Sequence, residues 1–77
     1  MRTLNNAEIG TVVSVKKVHG TGPIKKRLLD MGITKGSDIY LKKVAPLGDP
    51  MEINIRNYDL SIRKADAELI EILQEVD

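Results

Sequence analysis

SDIYLKKVAPLGDPMEINIR, residues 37–56, decides how the chain is read. Ser37 to Val44 has the pattern of a strand that points Ile39 and Leu41 one way, and Met51, Ile53 and Ile55 alternate with Glu52, Asn54 and Arg56 as a half-buried strand. Between them APLGDP (Ala45 to Pro50) sets two prolines four residues apart around Gly48 and Asp49. Each proline fixes its own φ and removes a backbone donor, so neither fits a central ladder position. Leu47-Gly48-Asp49 is therefore expected to be a stiffened turn carrying an apolar residue at its tip. Such a residue contributes little to folding and is well placed to touch a partner. Pro46, Leu47, Gly48, Asp49 and Pro50 are accordingly candidate contact residues. The competing reading is structural: Leu47 folds back over the core, and Asp49 orders the turn through its own backbone.

Working outward, Thr11 to Val18 (TVVSVKKV) is rich in β-branched residues and predicts a strand with Val13 and Val15 on one face and Val12 on the other. Gly20-Thr21-Gly22-Pro23 breaks it, and Pro23 suits the first turn of a helix, where its missing donor costs nothing. Ile24, Leu28 and Met31 then form an apolar stripe at i, i+4 and i+7, with Gly32 just beyond as a left-handed cap. The helix is about ten residues long, roughly 15 Å. Its outer side shows Lys25 and Lys26, with Leu29 beside the stripe. Downstream, Asn57-Tyr58-Asp59 reads as a turn, Leu60 and Ile62 as the inward positions of a strand, Lys64 to Leu69 as a helical turn, and Ile70 to Val76 as a closing strand. Five short strands with turn residues every eight to twelve positions predict one mainly β domain over residues 1–77. Its expected form is a small, closed or nearly closed barrel with a helical insertion after the first strand.

Composition narrows the function classes. Seventy-seven residues support one core and leave little room for a deep substrate pocket. With no cysteine there are neither disulfides nor thiolate metal sites. No stretch approaches the ~20 apolar residues of a membrane span and Met1 to Gly10 holds no leader-like run, so a cytoplasmic protein is expected. Net charge is +1 but polar along the chain: residues 1–45 hold nine basic and three acidic side chains, and residues 46–77 three basic and eight acidic. Either the basic half meets an acidic partner, nucleic acid or an anionic surface, or the two halves pair within the fold.

Three segments together carry a family resemblance. They are GTGPIKKRLLDMGITKGSDI (Gly20 to Ile39), VAPLGDPMEI (Val44 to Ile53) and LSIRKADAELI (Leu60 to Ile70). In this order and spacing the chain resembles the ferrous iron transport protein A (FeoA) family over nearly its whole length. The resemblance implies an SH3-like β-barrel and a cytosolic accessory role beside FeoB, the GTPase-coupled membrane transporter of Fe²⁺, with the membrane reached only through that transporter. Related domains occur at the C-termini of iron-dependent repressors, so fold alone does not settle function.

The chemistry-bearing residues are sparse. His19 is the single histidine, at a strand end before a glycine turn, and no serine has a base and an orienting group in view, so no enzyme is expected. No resident cofactor or specific metal site is expected either. His19 reads as an exposed loop-edge side chain open at most to weak divalent binding, Asp49 and Glu52 are scattered carboxylates, and Met31 and Met51 are assigned to the core. Gly20-Thr21-Gly22 precedes a helix, but Pro23 removes a donor and no Lys-Ser/Thr pair follows, so these glycines are expected to reverse the chain rather than cradle phosphate. A basic nucleic-acid-binding barrel is the alternative function, with Lys16, Lys17, Lys25, Lys26, Arg27, Lys42 and Lys43 as its groove. It lacks a stacking platform, because Tyr40 and Tyr58 are the only aromatics. A free-standing regulatory domain related to the repressor modules is a further alternative. Protein–protein contact remains, through the loop Ala45 to Pro50, through Lys25, Lys26 and Leu29, and through Arg63, which reads equally as a contact or an ion pair. Arg27 is open between Asp30 and a more distant acid as its partner. Self-association is compatible with apolar residues near turns.

Overall fold

Alternation of apolar and polar residues builds the sheet. In β3 (Met51–Ile55) the side chains of Met51, Ile53 and Ile55 are buried and those between them are not. The computed structural model describes residues 2–73. Its strands β1 (Val12–Val18), β2 (Asp38–Val44), β3, β4 (Tyr58–Ile62) and β5 (Ile70–Ile72) form one antiparallel sheet in the order β4-β3-β2-β1-β5. Helix α1 (Gly22–Asp30) lies between β1 and β2, and the short α2 (Lys64–Ala67) between β4 and β5. The inner face is lined by Val13, Val15, Ile39, Leu41, Ile53, Ile62, Ile70 and Ile72, all buried. This is the expected mainly β, SH3-like fold with a helix inserted after the first strand.

Two register shifts, between Val15 and Lys17 and between Leu41 and Lys43, interrupt β1 and β2. Such bulges bend a strand and increase its twist, which helps one sheet wrap its own core. Both bulges fall at a Lys-Lys pair. In β1 the extra residue lets Lys16 and Lys17 both face outward before Val18 turns in again.

Helix α1 ends as its glycine predicts. Gly32 takes φ +92, its N–H donates to the Leu29 carbonyl (2.9 Å), and the Ile33 N–H donates to the Leu28 carbonyl (3.1 Å). The paired bonds make a Schellman cap, and Leu28 and Ile33 at its two ends are fully buried. The stripe predicted for this helix is only partly realised. Leu28 is buried, Met31 is half-buried rather than core, and Ile24 is exposed, because the helix reaches the core through its C-terminal half while its first turn overhangs.

Three further differences follow from local geometry. The turn before β4 is Arg56-Asn57, both left-handed (φ 51 and 69), so Tyr58 and Asp59 already belong to the strand. A two-residue hairpin of this kind needs positive φ at both central positions, which Asn tolerates and which the Arg does not announce. The closing strand spans Ile70–Ile72, Leu73 already lies beyond it, and residues 74–76 of the expected span lie outside the described residues. A 3-10 turn at Leu4–Asn6 was not foreseen: it inserts a fully buried Leu4, while Thr3 bridges to Glu71 and the Ile72 N–H donates to the Arg2 carbonyl (2.9 Å). The outer edge of β5 is thereby covered.

Candidate partner-docking surface

The proline loop is held at three points. The Ala45 N–H donates to the Pro50 carbonyl (3.0 Å), closing its base, and the Gly48 N–H donates to the Ala45 carbonyl (2.7 Å), closing its tip. Gly48 takes φ +86, a conformation that side-chain-bearing residues avoid. Asp49 does not order its own turn. Its carboxylate accepts the Lys64 N–H (3.0 Å), the first amide of α2, and so ties the loop to the segment after β4. Leu47 stands at the tip, 96% exposed, and does not fold back over the core.

The sheet register decides what surrounds the loop. Met51 lies opposite Ile62, which sets Arg63 beside Pro50. Asp49, Pro50, Ser61, Ile62 and Arg63 line a depression of about 350 Å³ on one flank of the loop. A second of about 300 Å³, on the other flank, is lined by Val44, Ala45, Pro46 and Pro50 with Lys43 and Glu52. Arg63 therefore joins the loop candidates in one surface. It is exposed and has no ion-pair partner among the described residues.

The helix candidates form a separate surface. Residues two apart on an α-helix point about 200° apart. Arg27 and Met31 accordingly line a hollow with Arg63 and Asp66, whereas Lys25 and Leu29 line one with Lys16, Lys17, Val18 and Lys35. Lys26 pairs with Asp30 along the helix (3.4 Å), and Arg27 takes the more distant acid, Asp66 (2.7 Å), linking α1 to α2.

Polarity along the chain is largely resolved by pairing between halves. Lys16 and His19 meet Glu71 (3.4 and 2.8 Å), Lys42 meets Asp59 (3.0 Å) and Lys43 meets Glu52 (3.6 Å). His19 is thus a half-buried partner of Glu71 rather than an exposed edge residue. The hydrogen bond from His19, then Lys16, holds the Glu71 carboxyl below its ordinary value. Asp59 is held below its ordinary value by Asn54 and then Lys42, whose own ammonium is pushed up by that same bond. Among the described residues no three His, Cys, Asp or Glu side chains gather as a metal site would require. Tyr40 lies across from Asn54, which in turn faces Asp59, so neighbouring Tyr58 falls on the opposite side of the sheet and the two rings form no joint platform. Among the described residues no helix is long and apolar enough to cross a membrane.

Comparison with known proteins agrees with this architecture. The family model for the FeoA domain matches residues 2–73. The Fe(2+) transport protein A/Fe(2+) transporter FeoB fusion protein of Porphyromonas gingivalis is 36% identical over 69 residues, which is 90% of this chain but 8% of that relative. Iron(II) transport protein A of Clostridium thermocellum has a TM-score of 0.88 at 34% identity, over 92% of this chain and 44% of its own. The zinc complex of Stenotrophomonas maltophilia FeoA, described as a procaryotic SH3 domain protein, has a TM-score of 0.81 over 94% of this chain and 89% of its own; at 22% identity it speaks for the fold alone. With the family match running through the inserted helix, the proline loop and the closing strand, the chain belongs to the FeoA domain family.

Proposed function

We propose that this protein is a cytoplasmic accessory component of ferrous iron uptake that docks on the cytosolic GTPase region of a FeoB-type transporter and tunes it without turning over a substrate. The fusion of the two kinds of protein in a relative supports the pairing, since a fused partner is held at high effective concentration. The observation that carries the docking surface is Leu47, a large apolar side chain held almost wholly in solvent by a loop pinned on both sides. Ordering side chains on binding costs about 0.5–1.5 kcal/mol each, and a loop already fixed in the free protein avoids much of that cost. Arg63, at the loop's base, supplies a planar donor set for a carboxylate or carbonyl on the partner.

Capture of the purified transporter cytosolic domain by immobilised wild-type protein, Leu47→Ala and Leu47→Asp tests the reading. Capture weakened by Leu47→Ala and abolished by Leu47→Asp is the expected order. Equal capture by all three folded proteins removes the loop from the interface.

A further inference from the structure

Not every lysine of the basic half finds a carboxylate. Lys16, Lys26, Lys42 and Lys43 are paired, but Lys17, Lys25 and Lys35 have no ion-pair partner among the described residues. These three, with Lys16, ring one hollow of about 200 Å³ whose apolar lining is Val18 and Leu29. Three separate devices assemble the ring. The β1 bulge turns Lys16 and Lys17 outward together. Helical spacing stacks Lys25 and Leu29 at i and i+4. The turn holding Lys35 is fastened to β1, because the Gly36 N–H donates to the Val15 carbonyl (2.8 Å).

We propose that this hollow receives a short acidic segment of a partner protein, with an apolar side chain over Leu29 and flanking carboxylates among the lysines. Charge complementarity selects that occupant. Among the described residues a second copy is a poorer source, since Glu52, Asp59, Asp66 and Glu71 are engaged in ion pairs and Asp49 in its bond to Lys64, while Glu8, Asp38 and Glu68, which have no ion-pair partner there, stand in three separate segments. A lipid surface is gripped by protruding apolar groups, whereas Leu29 lines a depression and is only 40% exposed. Nucleic acid is bound through stacking aromatics as well as cations, and no aromatic residue lines this hollow. Lysines are compact charges on flexible stems, suited to carboxylates of variable position. This contact is distinct from the proline loop and holds whether or not the transporter is the loop's partner.

The test uses the whole protein, isotopically labelled, and two blocked synthetic peptides of four glutamates around a central leucine or a central serine. At low salt the leucine peptide is expected to shift the amide resonances of Val18, Leu29 and Lys35, and the serine peptide to bind at least about fivefold more weakly. Lys17→Glu and Lys35→Glu should each weaken the leucine peptide about fivefold or more, while Lys64→Glu, the same charge change outside the hollow, costs less than about twofold. Equal binding of the two peptides, equal losses from the three variants, or no binding by the leucine peptide overturns the proposal. Tighter capture by phosphatidylserine vesicles or by a single-stranded oligonucleotide also overturns it.

Discussion

Leu28 and Leu47 carry the same side chain and meet opposite fates, one with no exposed surface and the other 96% exposed. Burying a leucine contributes about 1.5–3 kcal/mol, so leaving Leu47 in water forgoes that gain. Leu47→Asp is therefore expected to shift the thermal unfolding midpoint by no more than a surface change does, equivalent to about 0.5 kcal/mol. A marked loss of stability in calorimetry would mean that Leu47 packs against the protein in solution, and the docking reading would go with it. Leu28 was legible in the sequence from helical spacing; for Leu47 the prolines marked the turn tip but left open whether the side chain folds back, because nothing local fixes which way a tip residue points. The company of Arg63 was not legible. Its place beside Pro50 depends on Met51 facing Ile62, a register fixed by the two-residue turn that the sequence pattern misplaced by a residue. Arg56 in that turn takes φ 51, a conformation costing a side-chain-bearing residue roughly 1–2 kcal/mol, so Arg56→Gly is expected to stabilise the hairpin by about 1 kcal/mol in chemical denaturation. Destabilisation instead would show that the Arg56 side chain makes a contact worth more than its strain.

At the scale of elements, ion pairs fasten segments distant in sequence. Arg27 to Asp66 joins α1 to α2, and Glu71 in β5 gathers Lys16 and His19 from β1 and the loop after it. Which acid each base would choose was invisible in the sequence, because the choice is made by strand pairing and the strongest clues to pairing are the bulges, which periodicity alone does not place. The Glu71 contact has a definite pH signature. Its carboxyl is held below the ordinary value of 4.5, so the folded state binds fewer protons there than the unfolded chain. Its contribution to stability is fully present above about pH 4.5 and is lost as pH falls through the lower folded-state value. Glu71→Gln removes the titrating group. It should flatten the acid limb of a stability-against-pH profile while lowering stability at neutral pH, where the wild-type carboxylate is paired. An acid limb unchanged in the variant would place that proton uptake on other carboxylates, Asp59 first among them.

For the whole molecule, the β period and the turn residues were enough to read a five-stranded barrel, since the inward positions of every strand are apolar and the inserted helix carries its own stop. What they missed was the N-terminal turn, whose short LNN run shows no period. Yet Leu4 is as buried as Leu28, and the two enter one continuous core together with Ile33, Ile39, Leu41, Ile53 and Ile70. A domain this small has no second core to fall back on. Loss of either leucine should therefore be felt by the entire structure rather than by its own segment. Leu4→Ala and Leu28→Ala are each expected to cost about 2–5 kcal/mol, the range for emptying a fully buried leucine site. Each should move a single cooperative transition, with far-UV circular dichroism and amide hydrogen exchange in β2 and β3 reporting the same loss. If Leu4→Ala released only the residues near it, leaving exchange in those central strands at its wild-type rate, the N-terminal turn would be an ornament on the barrel. The buried position of Leu4, and the cover its segment gives to the edge of β5, predict instead that the barrel loosens as one unit.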